Sequence, residues 1–219
     1  MIKLVVFDWN GVLIADTQAT LDIDNHIFRS TGRKQIDIKT YREKFTMPVR
    51  DFFVAMGFSE EEIARESRNV QKLFHSIYEP RIAKIRTRGG ARQLLQFLKD
   101  RNIEAVILSN HTKEGLQNQL ERLGIGHHFS RVITNDMHAT MERKNKADKL
   151  AYLVKKSSYK KNEILIIGDS PEEAEAGKRA GIRTVAITGG YYSTRRLKEA
   201  KPDYLIHNLL DMIDIIKKV

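Results

Sequence analysis

The sequence predicts an α/β protein in which a doubly wound, mainly parallel sheet carries an inserted helical cap domain. Three features predict this fold: continuous apolar runs, amphipathic helical patterns between them, and one long stretch without a strand pattern. Continuous rather than alternating apolarity indicates strands that are buried on both faces, which is typical of parallel sheets. Because consecutive parallel strands are joined by right-handed crossovers, we expect helices to cover both faces of the sheet.

The predicted sheet has six strands. The apolar runs that form it are residues 2–8 (IKLVVFD), 104–110 (EAVILSN), 131–136 (RVITND), 163–169 (EILIIGD), 183–188 (RTVAIT) and 203–207 (DYLIH). The clearest helical patterns span residues 90–102, 113–124, 146–157 and 171–181. In an open sheet of this kind, ligands bind at the carboxyl ends of the strands, so residues at those ends are the first candidates for a functional site.

Residues from about 15 to 88 interrupt the alternation of strands and helices. Apolar residues recur there at helical spacing, as in Ile23, Ile27 and Phe28. A helical insert of this size after the first strand is expected to cover the ligand-binding edge as a lid. We therefore predict a core domain formed by residues 1–14 and 89–219, and a helical cap domain formed by residues 15–88.

The composition limits which kinds of catalytic and metal-binding site the protein can have. The chain has 219 residues, 41% of them hydrophobic, so it can bury a full core. It contains no cysteine, which excludes disulfides and thiolate nucleophiles and requires any metal to bind oxygen or imidazole ligands. The apolar run at the N-terminus is too short for an export signal, and no segment has the length of a membrane span. We expect a cytoplasmic protein without a membrane partner.

The formal net charge of +10 raises the question of a polyanionic partner. The basic residues fall in short groups along the chain, such as residues 155–161 and 193–201, and form no basic stripe interleaved with aromatic residues. A solvated surface explains this distribution best. Attraction of a small anionic substrate and binding to nucleic acid remain open alternatives.

Polar residues stand at several of the predicted strand ends. Asp8 ends the first strand, and Ser109 and Asn110 end the second. Asp169 ends the fourth strand, and Lys146 opens the helix that leads into it. A single aspartate after an apolar run is a weak signal, because such residues often cap the next helix. The convergence of all these groups on one sheet edge predicts a catalytic site there.

These motifs resemble those of the haloacid dehalogenase superfamily, in particular its helical-capped phosphoglycolate phosphatase and beta-phosphoglucomutase-like branch. The segment VVFDWNGV resembles the first motif, a hydrophobic run followed by Asp-x-Asp-Gly-Thr/Val, except at Asn10. AVILSN resembles the second motif, a lysine ahead of a helix the third, and IIGDSPEE, with Asp169 and Glu173, the fourth. The resemblance covers nearly the whole chain and implies a Rossmann-like core.

The resemblance implies a Mg²⁺-dependent hydrolase of small-molecule phosphate monoesters. Asp8 would attack phosphorus and form an aspartyl phosphate, which divides one hard displacement into two easier ones. Mg²⁺ would be held by Asp8, the backbone carbonyl of Asn10 and Asp169. Glu173 would act on the metal through a bound water.

Further residues are implied to bind the phosphoryl group. Ser109 would donate its hydroxyl to a phosphoryl oxygen, helped by the Asn110 backbone N–H, and Gly11 belongs to the same substrate-binding motif. In the cap, Arg50 could clasp an anionic part of the substrate, although an exposed helix arginine explains it equally well.

A lysine would neutralise the charge that builds up in the transition state, and two residues fit its place. Lys146 opens an amphipathic helix, whereas Lys144 lies two residues earlier in the segment RKNK. We favour Lys146, with Lys144 as the alternative.

Asn10 departs from the family pattern. In related phosphatases a second aspartate at this position protonates the leaving group and activates water, a contribution of about 10² to 10⁴ in rate. An amide cannot exchange a proton in this way. If only this carboxylate is missing, Asn10→Asp should raise turnover by about tenfold or more.

Three alternatives follow from Asn10. The protein is a slow phosphatase, or one served by another acid–base group such as His111. It hydrolyses another bond, as does phosphonoacetaldehyde hydrolase, which requires a Schiff-base lysine in its cap. Or it is a catalytically weak phosphoryl-binding or nucleic-acid-associated protein.

Overall fold

The computed structural model describes residues 1–135 and 146–219 and shows a six-stranded sheet. The strands are β1 (Leu4–Phe7), β2 (Glu104–Thr112), β3 (Arg131–Asn135), β4 (Ile164–Gly168), β5 (Arg183–Ile187) and β6 (Tyr204–Ile206). Their order is β3-β2-β1-β4-β5-β6, and every neighbouring pair among them is parallel. The predicted α/β fold is confirmed. Residue 136, the predicted end of the third strand, lies outside the described residues.

Eleven α-helices occur in the described parts of the chain. Those before β2 are α1 (Thr17–Ser30), α2 (Ile38–Lys44), α3 (Val49–Ala55), α4 (Glu60–Leu73), α5 (Glu79–Ile82) and α6 (Ala91–Asp100), with a π-helical turn at Phe74–Tyr78. Those after β2 are α7 (Lys113–Leu123), α8 (Lys146–Lys156), α9 (Pro171–Ala180), α10 (Thr194–Glu199) and α11 (Asp211–Lys218). The helices α6 to α9 match the four helical patterns of the sequence.

Both faces of the sheet are buried, as the continuous apolar runs require. Leu4 and Val6 of β1 belong to a cluster with apolar residues of α8 and α9. Val5 and Phe7 point the other way and belong to a larger cluster with residues of α6, α7 and α11. Each fully buried side chain of this type contributes about 1.5–3 kcal/mol relative to its exposed state. This packing makes β1 a rigid support for the residue that follows it.

The segment between β1 and α6 is helical and has an aromatic core of its own. Five ring pairs among Phe28, Phe52, Phe53 and Phe58 have centroids 5.0–6.1 Å apart. Where the segment begins and ends, an isolated antiparallel bridge pairs Ile14 with Thr87. The boundaries of the cap domain at residues 15 and 88 remain a prediction.

The helical segment contacts the core at the loop that follows β5. Arg42 of α2 donates to the carbonyls of Gly189 and Gly190 at 2.8 Å each. In the opposite direction, the backbone N–H of Ser193 donates to the carbonyl of Arg42 at 3.0 Å, and Arg196 donates to that of Phe45. These contacts hold α2 against the loop that borders the carboxyl ends of the strands.

Across residues 1–135 and 146–219, no helix has both the length and the apolar content that crossing a membrane requires.

Candidate active site

Asp8 lies at the carboxyl end of the central strand β1. Its backbone N–H donates to the carbonyl of Ile167 at 3.0 Å, so the strand geometry holds the residue up to this point. One carboxylate oxygen, Oδ1, accepts the Trp9 N–H at 2.7 Å and lies 2.9 Å from Lys146 Nζ. These contacts fix Oδ1, so Oδ2 is the oxygen that is left to meet a ligand.

Four charged residues form what we call the lysine cluster: Asp8, Lys146, Asp169 and Glu173. Lys146 is 3% exposed, and its Nζ lies 2.5 Å from Glu173 Oε1 as well as 2.9 Å from Asp8. Ligand oxygens of the three carboxylates lie within 4.8 Å of one another. Three carboxylates around one ammonium leave two formal negative charges in a buried place.

Glu173 is positioned by the start of α9. It is the third residue of that helix, and its Oε2 accepts both the backbone N–H of Ser170, at 3.1 Å, and the Ser170 hydroxyl, at 2.6 Å. This is a capping box, in which the side chains of the first turn satisfy the free N–H groups of the helix end. Because Oε1 faces Lys146, both oxygens of Glu173 have protein partners.

Asp169 follows β4 and is held from the loop after β5. Its Oδ2 accepts the backbone N–H of Tyr191 at 2.6 Å. Gly11 has a φ of +71°, and a Cβ there would lie 2.1 Å from that same oxygen. A Cβ on Gly190 would lie 1.9 Å from it. Glycine is required at both positions because the backbone approaches the carboxylate so closely.

The electrostatics of the lysine cluster indicate unbalanced negative charge. Burial raises the pKa of Asp8 to about 7, although the charge of Lys146 acts in the opposite direction. Burial also raises the pKa of Asp169 well above its ordinary value, and the neighbouring charges of Asp8 and Glu173 add to this effect. For Lys146, burial lowers the pKa, but the same two acids outweigh it and hold the pKa above its ordinary value.

A divalent cation fits this environment. The donor set is composed of carboxylate oxygens, which hard cations such as Mg²⁺ prefer. A charge of +2 would balance the two formal negative charges and would favour the ionised carboxylates over their protonated forms. Asp169 has one oxygen bound to a backbone N–H, so its other oxygen is available to a metal.

Ser109 and Asn110 lie on β2, the neighbour of β1. Ser109 is 2% exposed, and its Oγ accepts the backbone N–H of His111 at 3.1 Å. Because Oγ acts as the acceptor in that bond, the hydroxyl proton of Ser109 can be donated to a ligand. Asn110 is half-buried at the next position of the strand.

Arg50 is not brought to the lysine cluster by any contact of the structure. It is exposed in α3, and its guanidinium pairs with Glu60 and, at 3.6 Å, with Asp51. The structure therefore supports the interpretation that Arg50 is an exposed helix arginine. It does not support the interpretation that Arg50 binds the substrate. The alternative lysine, Lys144, lies outside the described residues.

Trp9, Gln119 and His111 form a chain of hydrogen bonds beside Asp8. Trp9 is fully buried, and its indole N–H donates to Gln119 Oε1 at 2.6 Å. Gln119 Nε2 lies 3.1 Å from His111 Nε2, and His111 Nδ1 lies 3.2 Å from the Thr112 carbonyl. Gln119 Nε2 must donate to His111 Nε2, and His111 Nδ1 must donate to the Thr112 carbonyl. The imidazole is therefore the neutral tautomer that carries its proton on Nδ1.

His111 is therefore a poor substitute for the missing acid–base group. Burial lowers the pKa of its imidazole, and both ring nitrogens already have partners. The predicted role of His111 as a proton carrier has no support in this geometry.

Asp16 is a site residue that the sequence interpretation missed. It is fully buried and accepts hydrogen bonds from four donors: Gly11 N at 2.9 Å, Asn10 Nδ2 at 2.6 Å, Tyr78 Oη at 2.9 Å and Tyr191 Oη at 2.8 Å. We call these five residues the Asp16 network. An aspartate directly before a helix suggests an N-cap, yet the side chain of Asp16 makes no capping bond to α1. No sequence signal indicates that it turns to Asn10 instead.

Comparison with known proteins identifies the family. The sequence profile described as "Haloacid dehalogenase-like hydrolase" matches residues 5–187, which is most of the chain. This chain is 26% identical to the phosphoglycolate phosphatase of Pseudomonas fluorescens, over 96% of its own length and 78% of that protein. It is also 26% identical to the pyrophosphatase PpaX of Oceanobacillus iheyensis, with 98% of this chain and 97% of that protein covered.

The fold is also that of solved structures of this family. A haloacid dehalogenase-like family hydrolase from Streptococcus pneumoniae superposes with a TM-score of 0.79 at 23% identity, and 98% of each chain is covered. In this chain Asp8 and Asp169 directly follow β1 and β4, whereas Ser109 lies within β2, which continues to Thr112 beyond the predicted end at residue 110. The chain belongs to the haloacid dehalogenase-like hydrolases.

Proposed function

We propose that this protein is a Mg²⁺-dependent phosphatase that hydrolyses phosphate esters of small molecules through an aspartyl phosphate on Asp8. The observation that carries the proposal is the contact of Asp8 with Lys146, in a buried cluster with Asp169 and Glu173. The names of the relatives, a phosphoglycolate phosphatase and a pyrophosphatase, support a phosphorylated substrate.

In this proposal Asp8 acts as the nucleophile. Oδ1 is fixed by Lys146 and by the Trp9 N–H, so Oδ2 attacks phosphorus as the bond from phosphorus to the ester oxygen breaks. The ester oxygen leaves with the electron pair of that bond and takes a proton from solvent, because the amide of Asn10 has none to give. Water then attacks the phosphorus of the acyl phosphate and gives a proton to solvent. The electron pair of the broken acyl–phosphate bond returns to the Asp8 carboxylate, and inorganic phosphate is released. Ser109 donates its hydroxyl, and Asn110 its backbone N–H, to phosphoryl oxygens during both steps.

Mg²⁺ would be held by Asp8, Asp169 and the backbone carbonyl of Asn10. When bound, it would reduce the repulsion between the carboxylate and the phosphoryl group. Glu173 would act through a bound water, because Lys146 and Ser170 already occupy its two oxygens. Lys146 supplies a fixed positive charge next to the attacking residue.

The alternative hydrolysis of another bond finds no support in the cap. A Schiff-base lysine has to be desolvated to act as a nucleophile near neutral pH. The four lysines considered for that role are all exposed: Lys34, Lys39, Lys44 and Lys72.

The test is release of inorganic phosphate from a panel of p-nitrophenyl phosphate, sugar phosphates, phosphoglycolate, nucleotides and pyrophosphate, with Mg²⁺ or with a chelator. We expect Mg²⁺-dependent release from at least one monoester. Asp8→Asn should abolish it while the protein stays folded, and the matched control Asp214→Asn, an exposed residue of α11, should leave it unchanged. Substantial activity in a folded Asp8→Asn protein would overturn the mechanism.

A further inference from the structure

The amide of Asn10 has a single orientation in this structure, and Asp16 determines it. The carboxylate of Asp16 acts as an acceptor towards Gly11 N and both tyrosine hydroxyls, so the atom that faces it at 2.6 Å is the amide nitrogen Nδ2. The same nitrogen also lies 3.2 Å from the Tyr78 hydroxyl, which itself donates to Asp16. Both amide hydrogens are therefore directed into the Asp16 network, and Oδ1 is the group of Asn10 that can meet a ligand.

We propose that Asp16 is a positioning residue that makes Asn10 an acceptor in the active site. The inference rests on the proposed function, because it assigns the acceptor to the phosphatase reaction. With Oδ1 turned away from Asp16, Asn10 orients the O–H of the water that attacks the acyl phosphate. The negative charge that an aspartate would carry at position 10 is thus held instead by Asp16, one hydrogen bond further from the phosphoryl group.

The inference changes what Asn10→Asp alone should do. The substitution would place two carboxylates in contact where an amide nitrogen and an oxygen are now 2.6 Å apart. Two carboxylates at such a distance repel each other unless they share a proton. The substitution is therefore not the simple restoration that the sequence suggests, because the amide and Asp16 form a matched pair.

The test exchanges the two side chains. The variants are Asn10→Asp, Asp16→Asn and the double exchange Asn10→Asp/Asp16→Asn, each measured for kcat, KM and melting temperature with Mg²⁺. In the double exchange, one carboxylate again faces one amide, with the donor and acceptor reversed, and the hydroxyls of Tyr78 and Tyr191 can rotate to donate or accept.

For Asp16→Asn we expect kcat to fall by about tenfold or more, with KM changed less than about threefold, because the amide loses its fixed orientation. Asn10→Asp should lower the melting temperature by about 4 °C or more. The double exchange should recover the melting temperature and bring kcat to at least the wild-type value. A matched control is Asp24→Asn, which alters a buried acid within α1 and should not change kcat.

The inference is overturned if folded Asp16→Asn protein keeps the wild-type kcat, or if the double exchange shows only the sum of the two single effects. Absence of phosphate release from the wild-type protein would overturn the proposed function instead. In that case the melting temperatures alone would decide the pairing of Asn10 with Asp16, since they require no turnover. Non-additive values would support it, and additive values would refute it.

Discussion

The lysine cluster and the Asp16 network are neighbouring buried regions that both contain carboxylates. They differ in the groups that stabilise those carboxylates. In the first, one ammonium contacts two of three neighbouring carboxylates, and burial raises the pKa of Asp8 and that of Asp169. In the second, a single carboxylate, that of Asp16, accepts four hydrogen bonds from uncharged donors. We propose that an additional cation balances the first, whereas the second has a hydrogen-bond donor from the protein for each of its four contacts. The predictions below test this difference, from the largest expected effect to the smallest.

The largest effect is expected for Lys146→Met. The substitution removes the only ammonium in the described cluster and leaves three carboxylates whose oxygens lie within 4.8 Å of one another. Breaking a buried ion pair is strongly destabilising. We expect kcat/KM for the best substrate of the panel to fall by about 10²- to 10³-fold. Steady-state assays with Lys155→Met, an exposed lysine of the same helix, provide the control.

Assaying Lys144→Met beside Lys146→Met tests which of the two lysines belongs to the active site. If Lys144→Met lost activity and Lys146→Met retained it, the assignment of the site lysine would be reversed.

Metal affinity should distinguish Asp169 from Glu173. Asp169 has one oxygen available, whereas the two oxygens of Glu173 are bound to Lys146 and Ser170. Asp169→Asn should therefore weaken Mg²⁺ binding by about tenfold or more, which corresponds to about 1.4 kcal/mol. Glu173→Gln should weaken it less. Calorimetric titration of Mg²⁺ into both variants measures the ranking, and an equal or reversed order would show that the two roles are assigned wrongly.

The stability of the metal-free protein should depend on pH through the lysine cluster. The pKa of Asp8 is raised to about 7 in the folded protein, whereas an unfolded aspartate titrates near about 3.9. The folded state therefore binds more protons between these values, so the contribution is full at low pH and is lost as the pH rises through about 7. Mg²⁺ should reduce this loss, because it favours the ionised carboxylates.

The measurement is the melting temperature from about pH 5 to about pH 8, with a chelator or with Mg²⁺. We expect a fall with rising pH in the chelator and a smaller fall with Mg²⁺. Asp8→Asn removes one of the two carboxyl groups whose pKa is raised, so it should make the fall in the chelator smaller. A metal-free protein that becomes more stable over this range would contradict the assignment.

The sequence predicts the lysine cluster better than the Asp16 network, for a physical reason. Asp8 and Asp169 directly follow buried strands, and parallel strands bring such positions to one edge whatever the rest of the fold does. The Asp16 network joins Asp16 to Tyr78 and Tyr191, which are 62 and 175 residues away in sequence. That assembly depends on how the helical segment and the loop after β5 pack, and no local pattern encodes it.

Arg50 and His111 also show that the sequence does not reveal the tertiary partners of a side chain. Both have chemistry suited to an active site, and both were considered for one. Where their side chains go is decided by tertiary neighbours: Arg50 pairs with Glu60, and His111 is held by Gln119 and the Thr112 carbonyl. Residue type and position on a helix or strand do not determine such partners.

The smallest effects are expected for the two tyrosines of the Asp16 network. Tyr78→Phe and Tyr191→Phe each remove one of four donors to Asp16 and leave the amide of Asn10 in contact with it. Loss of a single hydrogen bond typically costs about 0.5–1.5 kcal/mol, so each melting temperature should fall by only about 1–6 °C. Because the remaining donors still hold Asp16, kcat should change less than about threefold for either variant, in contrast to Asp16→Asn. Thermal melts and steady-state assays beside Tyr152→Phe, which alters a tyrosine that is 65% exposed, measure both effects. A loss of kcat as large as that of Asp16→Asn would mean that a tyrosine hydroxyl itself, rather than the carboxylate, determines the orientation of Asn10.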